Sequence, residues 1–306
     1  MRRSVCVILL ALVAAACNNA TDATPQGLRS VSYPINIVAS NGTVAIPRKP
    51  SKIVSLSPTA TEILFAIGAG PQVAAVDDQS NFPSNAPKTK LSGFEPNVEA
   101  IASYQPDLVI FANDVKQLGS SLTKLAIPAL LQPAAATLDD TYAQILQLGE
   151  ATGRSSEAYQ LTQKMKHDIA SIVASAPTFT SQPRYYHELD STYFSATSST
   201  FIGKVYSLLH LSNIADPADK QSSGYPQLSP EYIVQADPDL IFLADTKCCS
   251  QSATTVAKRP GWSGITAVKK DAVVALDDDI ASRWGPRIVD FLRTVSAALS
   301  ALEKAA

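Results

Sequence analysis

The densest group of side chains able to do chemistry is His187-Glu188-Leu189-Asp190. One imidazole beside two carboxylates could ligate a divalent cation, so a metal-dependent surface enzyme built on His187, Glu188 and Asp190 is one function open to the chain. Such a site lacks a second histidine. His167 falls on a helical stretch and reads as a surface residue, and His210 ends a helix, where a cation meets the negative dipole end. No GxSxG, HExxH or glycine-rich phosphate loop occurs. A structural or ligand-contact role for the cluster is the stronger reading. No metal site and no enzymatic activity are expected.

A second chemistry is dispersed rather than clustered. Apolar runs that read as strands are each followed by short polar loops, which hold Phe82, Phe94, Asn113, Tyr193, Phe194 and Trp284. In an open α/β sheet, ligands bind beyond the carboxyl ends of the strands. Aromatic walls with a few fixed polar groups suit a sizeable organic ligand. A third chemistry is redox. Cys248 and Cys249 are adjacent, with Cα atoms about 3.8 Å apart, closer than in ordinary disulfides. A strained vicinal disulfide and a free pair both remain open. No CxxC or His-rich spacing surrounds them to suggest zinc.

The elements that must position these residues are announced by a repeated phrase. Glu99 to Ala112 reads EAIASYQPDLVIFA, and Glu231 to Ala244 reads EYIVQADPDLIFLA. In both, a short helix must end before Pro106 or Pro238, because proline cannot continue it. A continuous apolar run follows, as in a parallel strand covered on both faces. The repetition implies two similar lobes.

Between the phrases, strands alternate with helices, which argues for doubly wound parallel sheets and an α/β fold. Residues 35–46 read as a leading hairpin, Lys52–Ser57 as a strand, and Pro58 as the start of a helix with Glu62 near its positive end. Leu138–Thr152 is a further helix. Arg154–Ala176 has neither Gly nor Pro, and Ala158, Leu161, Met165, Ile169, Ile172 and Val173 mark one apolar face. This is a single helix about 35 Å long at ~1.5 Å per residue, a stiff strut that should limit the lobes to a small hinge. In the second lobe, Arg184–Leu189 and Val273–Leu276 read as strands. Phe201–Leu211 reads as a helix, and Pro286–Glu303 as a closing helix with Pro286 at its first position.

The organisation is therefore a signal over 1–17, a flexible tether over 18–33, a first lobe over 34–153, the connecting helix over 154–176, and a second lobe over 177–306. Arg2 and Arg3, the apolar Val5–Val13 and Ala14-Ala15-Ala16-Cys17 resemble a bacterial lipoprotein signal, which implies acylation of Cys17 and an extracytoplasmic, membrane-anchored protein. Simple cleavage near Ala16 is the alternative. With 306 residues, 46% hydrophobic content and a net charge of −2, the chain is a globular protein long enough for two domains. It lacks the basic face of a nucleic-acid binder.

KIVSLSPTATEILFAIG (52–68), the twin Glu-to-Pro-Asp-Leu phrases, YPQLSPE (225–231) and SRWGPRIV (282–289) together resemble the periplasmic cobalamin-binding proteins of ABC importers. More broadly, they resemble the cluster of solute-binding proteins with one long helix between lobes, which also serves siderophores and haem. The resemblance covers about residues 48–302. It implies that Glu99 and Glu231 dock against arginine pockets on the two membrane subunits of the importer. It also implies ligand contacts from Phe94 and Tyr225, which stand where the family has tryptophans, from Tyr193, which matches a phenylalanine, and from the polar pair Asp279 and Arg283. The ligand it implies is a corrinoid carried as cargo, with no resident cofactor and a monomeric carrier. A ferric siderophore or haem is the alternative cargo. Haem would want an axial Tyr193, Tyr225 or His187. A purely structural lipoprotein is a further alternative.

Overall fold

The computed structural model describes residues 31–305. The signal segment, Cys17 and the tether up to residue 30 lie outside the described residues. Tyr33, assigned to the tether from sequence, is docked: its hydroxyl donates to the Ala151 carbonyl at 3.0 Å.

The described chain opens with an antiparallel hairpin, β1 (Ile35–Ala39) and β2 (Gly42–Ile46). The first lobe follows as β3 (Ile53–Leu56), α1 (Pro58–Ala66), β4 (Val73–Val76), α2 (Val98–Ala102), β5 (Leu108–Phe111), α3 (Leu118–Lys124), β6 (Ala129–Leu131) and α4 (Leu138–Thr152). Then α5 (Ser155–Ser175) leads to the second lobe. That lobe begins β7 (Arg184–Glu188), α6 (Phe201–Ser207), β8 (Ser212–Asn213), α7 (Pro230–Ala236) and β9 (Leu240–Leu243). It ends with α8 (Ala253–Ala257), α9 (Thr266–Lys269), β10 (Val273–Ala275), α10 (Asp278–Ala281) and α11 (Ile288–Lys304).

Each lobe holds a four-stranded sheet, ordered β4-β3-β5-β6 in the first and β8-β7-β9-β10 in the second. All pairings within them are parallel. The two orders are the same: second, first, third, fourth strand of the lobe. The repeated phrase supplies the third strand, which lies against the first. Leu108 stands opposite Ile53 and Leu240 opposite Tyr185. The Asp of each Pro-Asp-Leu fastens that register. The Asp107 N–H donates to the Lys52 carbonyl and the Asp239 N–H to the Arg184 carbonyl, both at 2.8 Å. Each carboxylate in turn accepts from the start of the neighbouring strand, Asp107 from Ser51 N–H at 2.9 Å and Asp239 from Arg184 N–H at 2.8 Å.

Local signals set the helix starts. Ser57 caps α1 ahead of Pro58, and Thr137 forms a reciprocal capping box with Asp140 on α4. Edge strand β6 is covered by the hairpin turn, where Asn41 donates to the Ala129 carbonyl at 2.9 Å and accepts from Leu131 N–H at 3.1 Å.

The strut is packed along its length. Ala158, Thr162, Met165 and Ile169 of α5 are buried, and one continuous core joins α1, α4 and α5 with Tyr206, Phe242 and the buried face of α11. A Cβ on Gly149 of α4 would sit 2.4 Å from the Ala158 Cβ, so glycine there lets α4 and α5 approach closely.

Two boundaries differ from the sequence reading. The closing helix begins at Ile288, not at Pro286, because the preceding turn is held across the cleft by Arg283 and Arg287. Helix α6 stops at Ser207, and His210 sits in a left-handed turn at φ 57° leading into β8.

Candidate functional site

The sheet topology places the loops after β3, β4 and β5 opposite those after β7 and β9, with a cleft between the lobes. Its floor is a chain of alternating charges. Glu62, on the inward face of α1, is buried with its side chain 2% exposed. It accepts from Arg283 Nη1 at 2.7 Å and from Arg287 Nε at 2.9 Å, both from the other lobe. Arg283 also donates to Asp279 at 2.7 Å and to the Gln79 carbonyl at 3.0 Å. Asp279 accepts from Lys247 at 2.8 Å and, across the cleft, from Asn81 at 3.0 Å. Lys247 completes the chain on Asp277 at 2.8 Å. Burial pulls the Asp279 carboxyl upward, but the Lys247 bond and the Arg283 charge outweigh it and hold the pKa below the usual carboxylate value. Three cations are thus matched by three acids. Buried ion pairs need hydrogen bonding to offset desolvation, and Glu62 accepts from both Arg283 and Arg287.

A cavity of about 450 Å³ spans the two lobes, walled by Ala134, Ala135 and Ala136 from the first and by Tyr225, Ala281 and Trp284 from the second. The Trp284 indole N–H donates to Gln144 Oε1 of α4 at 3.0 Å, closing one side. Phe82 is 43% exposed, Tyr225 53% and Phe94 68%, which is high for large apolar side chains. The Arg287 guanidinium lies 4.2 Å from the Phe82 ring centroid.

The structure therefore brings together Phe82, Asp279, Arg283 and Trp284, with Tyr225 on the cavity wall. Phe94 and Asn113 are exposed on neighbouring loops. Tyr193 departs from its expected place. At φ 71° its ring packs on Trp262, centroids 5.9 Å apart, and under Arg259 at 5.3 Å, so the exposed aromatic of that loop is Phe194. Glu62, Arg287, Lys247, Asn81 and Gln144 were not singled out as site residues from sequence. The one available signal was an acid inside the apolar run Thr61–Ile67.

The residues of the metal reading turn to separate partners. His187 is fully buried, its Nδ1 lies 2.9 Å from the Tyr206 hydroxyl, and burial drives its pKa down to about 4. Glu188 accepts from both terminal nitrogens of Arg259, Nη1 and Nη2, at 2.6 Å. Asp190 accepts from Thr192 N–H at 2.8 Å. Among the described residues no three His, Cys, Asp or Glu gather as a metal site. Burial also removes His187 as an axial ligand to haem in the cleft.

Cys248 and Cys249 form a disulfide. Their loop is fixed by the Asp278 carboxylate, which accepts from the N–H groups of Thr246, Lys247 and Cys248, each at 2.9 Å. On the outer surface, Glu99 and Glu231 occupy equivalent places. Each is the second residue of its helix, behind the caps Asn97 and Ser229, and each is exposed.

Two like lobes, a packed connecting helix and an aromatic cleft define an extracytoplasmic solute-binding protein of the kind that serves ABC transporters. The chain belongs to the periplasmic binding protein family, matched over residues 53–280. It is 32% identical over 300 residues to an uncharacterized ABC transporter substrate-binding lipoprotein, YvrC, of Bacillus subtilis, covering 93% of this chain and 92% of that one. It is 30% identical over 271 residues to a cobalamin-binding protein of Halobacterium salinarum, covering 86% and 73%. The crystal structure of a possible iron-binding (periplasmic solute-binding) protein from Staphylococcus epidermidis superposes with a TM-score of 0.70 at 27% identity, over 82% of this chain and 99% of that one.

Proposed function

We propose that this protein captures a corrinoid in the cleft between its lobes and delivers it to an ABC importer, held at the outer face of the membrane by lipid on Cys17. The observation that carries the ligand class is a cleft whose arginines are already paired with acids, beside exposed aromatics. Arg283 and Arg287 are already engaged by Glu62 and Asp279. A ligand rich in carboxylates would have to displace those acids. A large ligand of small net charge, with apolar faces and polar edges, would not. Corrinoids fit that description, and the cobalamin-binding relative supports the choice.

Delivery rests on Glu99 and Glu231. An importer with two-fold membrane subunits needs the same handle on both lobes, and exposed acid–base pairs serve register more than affinity.

The test is titration of the purified protein with cyanocobalamin, following quenching of Trp262 and Trp284. Saturable one-to-one binding is expected at micromolar concentration or tighter, on the order of 8 kcal/mol. Saturation by a ferric siderophore or haemin alone would replace the corrinoid reading with the iron one, which the Staphylococcus epidermidis neighbour favours and for which Tyr225 is the exposed phenol.

A further inference from the structure

We infer that Asp77 is a second recognition point of this cleft, a buried acceptor for a hydrogen-bond-donating arm of the ligand, of the primary amide class. The inference rests on the corrinoid reading and adds to it a residue that sets specificity.

Asp77 follows β4 directly, at the carboxyl end of a sheet strand, where α/β ligands bind. Its backbone is fixed: its N–H donates to the Ser55 carbonyl at 2.9 Å, and it bridges to Leu91 as a parallel pair. The residue is 3% exposed. Yet its Oδ1 has no hydrogen-bond partner among the described residues. A buried carboxylate oxygen without a donor is costly, and proteins keep few of them without a use.

The carboxylate borders a cavity of about 350 Å³, whose other walls include Ser80, Asn81, Ser84, Lys88 and Thr89. Its lining comes from the loop over 77–89, which borders the cleft: Asn81 on its wall reaches Asp279 of the opposite lobe at 3.0 Å. Ser80 hydrogen-bonds the Asp77 carboxylate, and its Oγ also lies 2.9 Å from Thr61 Oγ1, yet Oδ1 stays without a partner among the described residues. Arg283 is spent on Glu62, Asp279 and Gln79. Gly93 is shaped to the same carboxylate: a Cβ there would lie 2.9 Å from Asp77 Oδ2 and as close to the Leu56 carbonyl. Glycine thus lets the loop carrying Phe94 pass over Asp77.

An acceptor with spare capacity takes a donor. A metal ion would need further ligands, and no group of three gathers among the described residues. A carboxylate on the ligand would be repelled. A primary amide offers two N–H donors and no charge, and the rim of a corrinoid carries a fringe of such amides.

The test compares cyanocobalamin with its mono-acid derivatives, in each of which one rim amide is replaced by a carboxylate, as the separated positional isomers. The wild-type protein is expected to bind one isomer about tenfold to a hundredfold more weakly than the parent, the range set by one charged buried partner left unsatisfied. In Asp77→Asn that ratio is expected to fall towards one for the same isomer, because asparagine accepts from an amide and donates to a carboxylate. Asp77→Ser, which removes the charge with less bulk, should relax the same isomer and guards against a folding defect in the first variant. Discrimination by wild type that both variants retain overturns the inference while leaving the corrinoid reading standing. Equal binding of every isomer to wild type does the same. No binding of any corrinoid by wild type overturns the corrinoid reading and this inference with it.

Discussion

The two Glu-to-Ala phrases begin alike and end differently. At their starts, Glu99 and Glu231 are exposed at the same helical position, and Asp107 and Asp239 fasten the same strand pair. At their ends they diverge. Asn113, after β5, is exposed. Asp245, after β9, is fully buried, and neither carboxylate oxygen has a hydrogen-bond partner among the described residues. Desolvation first, and then the neighbouring Glu188, push its pKa up to about 7. The outer ends of the phrases carry a matched pair of handles, while the inner ends reach towards the cleft. On the proposed function this is the expected division: equivalent halves of a transporter on one side, unlike faces of a single ligand on the other.

The strongest way to break this comparison is at the handles. Reversing both, Glu99→Lys with Glu231→Lys, is expected to lower ligand uptake by cells about tenfold or more while leaving ligand affinity untouched. Each single reversal should cost less, and the two should cost the same. Unequal singles, or a doubly reversed protein that transports normally, would remove the docking role.

A smaller effect separates the two strand fasteners. Asp107 accepts from Ser51 N–H and Oγ, Lys52 N–H and Arg48, whereas Asp239 accepts from Arg184 N–H with only a loose 3.9 Å approach of Arg184 Nε. By hydrogen-bond count, Asp107→Ala should destabilise by about 2 kcal/mol and Asp239→Ala by about 1 kcal/mol, read from denaturant melts. Burial opposes ionisation of Asp107, but the Ser51 and Arg48 bonds outweigh it and hold its pKa down to about 2. Its folded pKa lies below the unfolded value of about 4, so its contribution is complete above that value and is lost as pH falls through about 2.

A further effect has the opposite sign. The folded pKa of Asp245, about 7, is raised above an unfolded value of about 4, so ionisation costs stability progressively as pH rises across that window. Asp245→Asn should therefore melt higher than wild type above pH 7, with the difference shrinking as pH approaches 4. A difference that is constant with pH would show that Asp245 is already ionised throughout.

How much of this was legible in the sequence depends on range. The strut was legible because a stretch free of Gly and Pro with one apolar face has a single interpretation. The repeated strands were legible because Pro106 and Pro238 punctuate them. The two-residue strand β8 was not, since Ser212 and Asn213 carry no apolar run. The start of α11 was misplaced because local rules favour Pro286 at a helix start, while the observed start follows from Arg283 and Arg287 reaching Glu62, far away in the chain. The same long-range pairing hid Glu62 as the centre of the cleft floor. Sequence places Tyr193 on a cleft loop but gives neither its φ of 71° nor the packing of its ring on Trp262.

The close approach of Gly149 to Ala158 has a consequence for how the molecule comes apart. Because α4, α5 and α11 share one apolar interior, the two lobes are repeats in topology without being separable parts. A fragment ending after Gly153 would lose the α5 side of that interior, including Ala158 and Met165, and a fragment beginning at Pro177 would lose both α4 and α5 from it. Heating should therefore give one cooperative calorimetric transition rather than two, with the lobes melting as a single body.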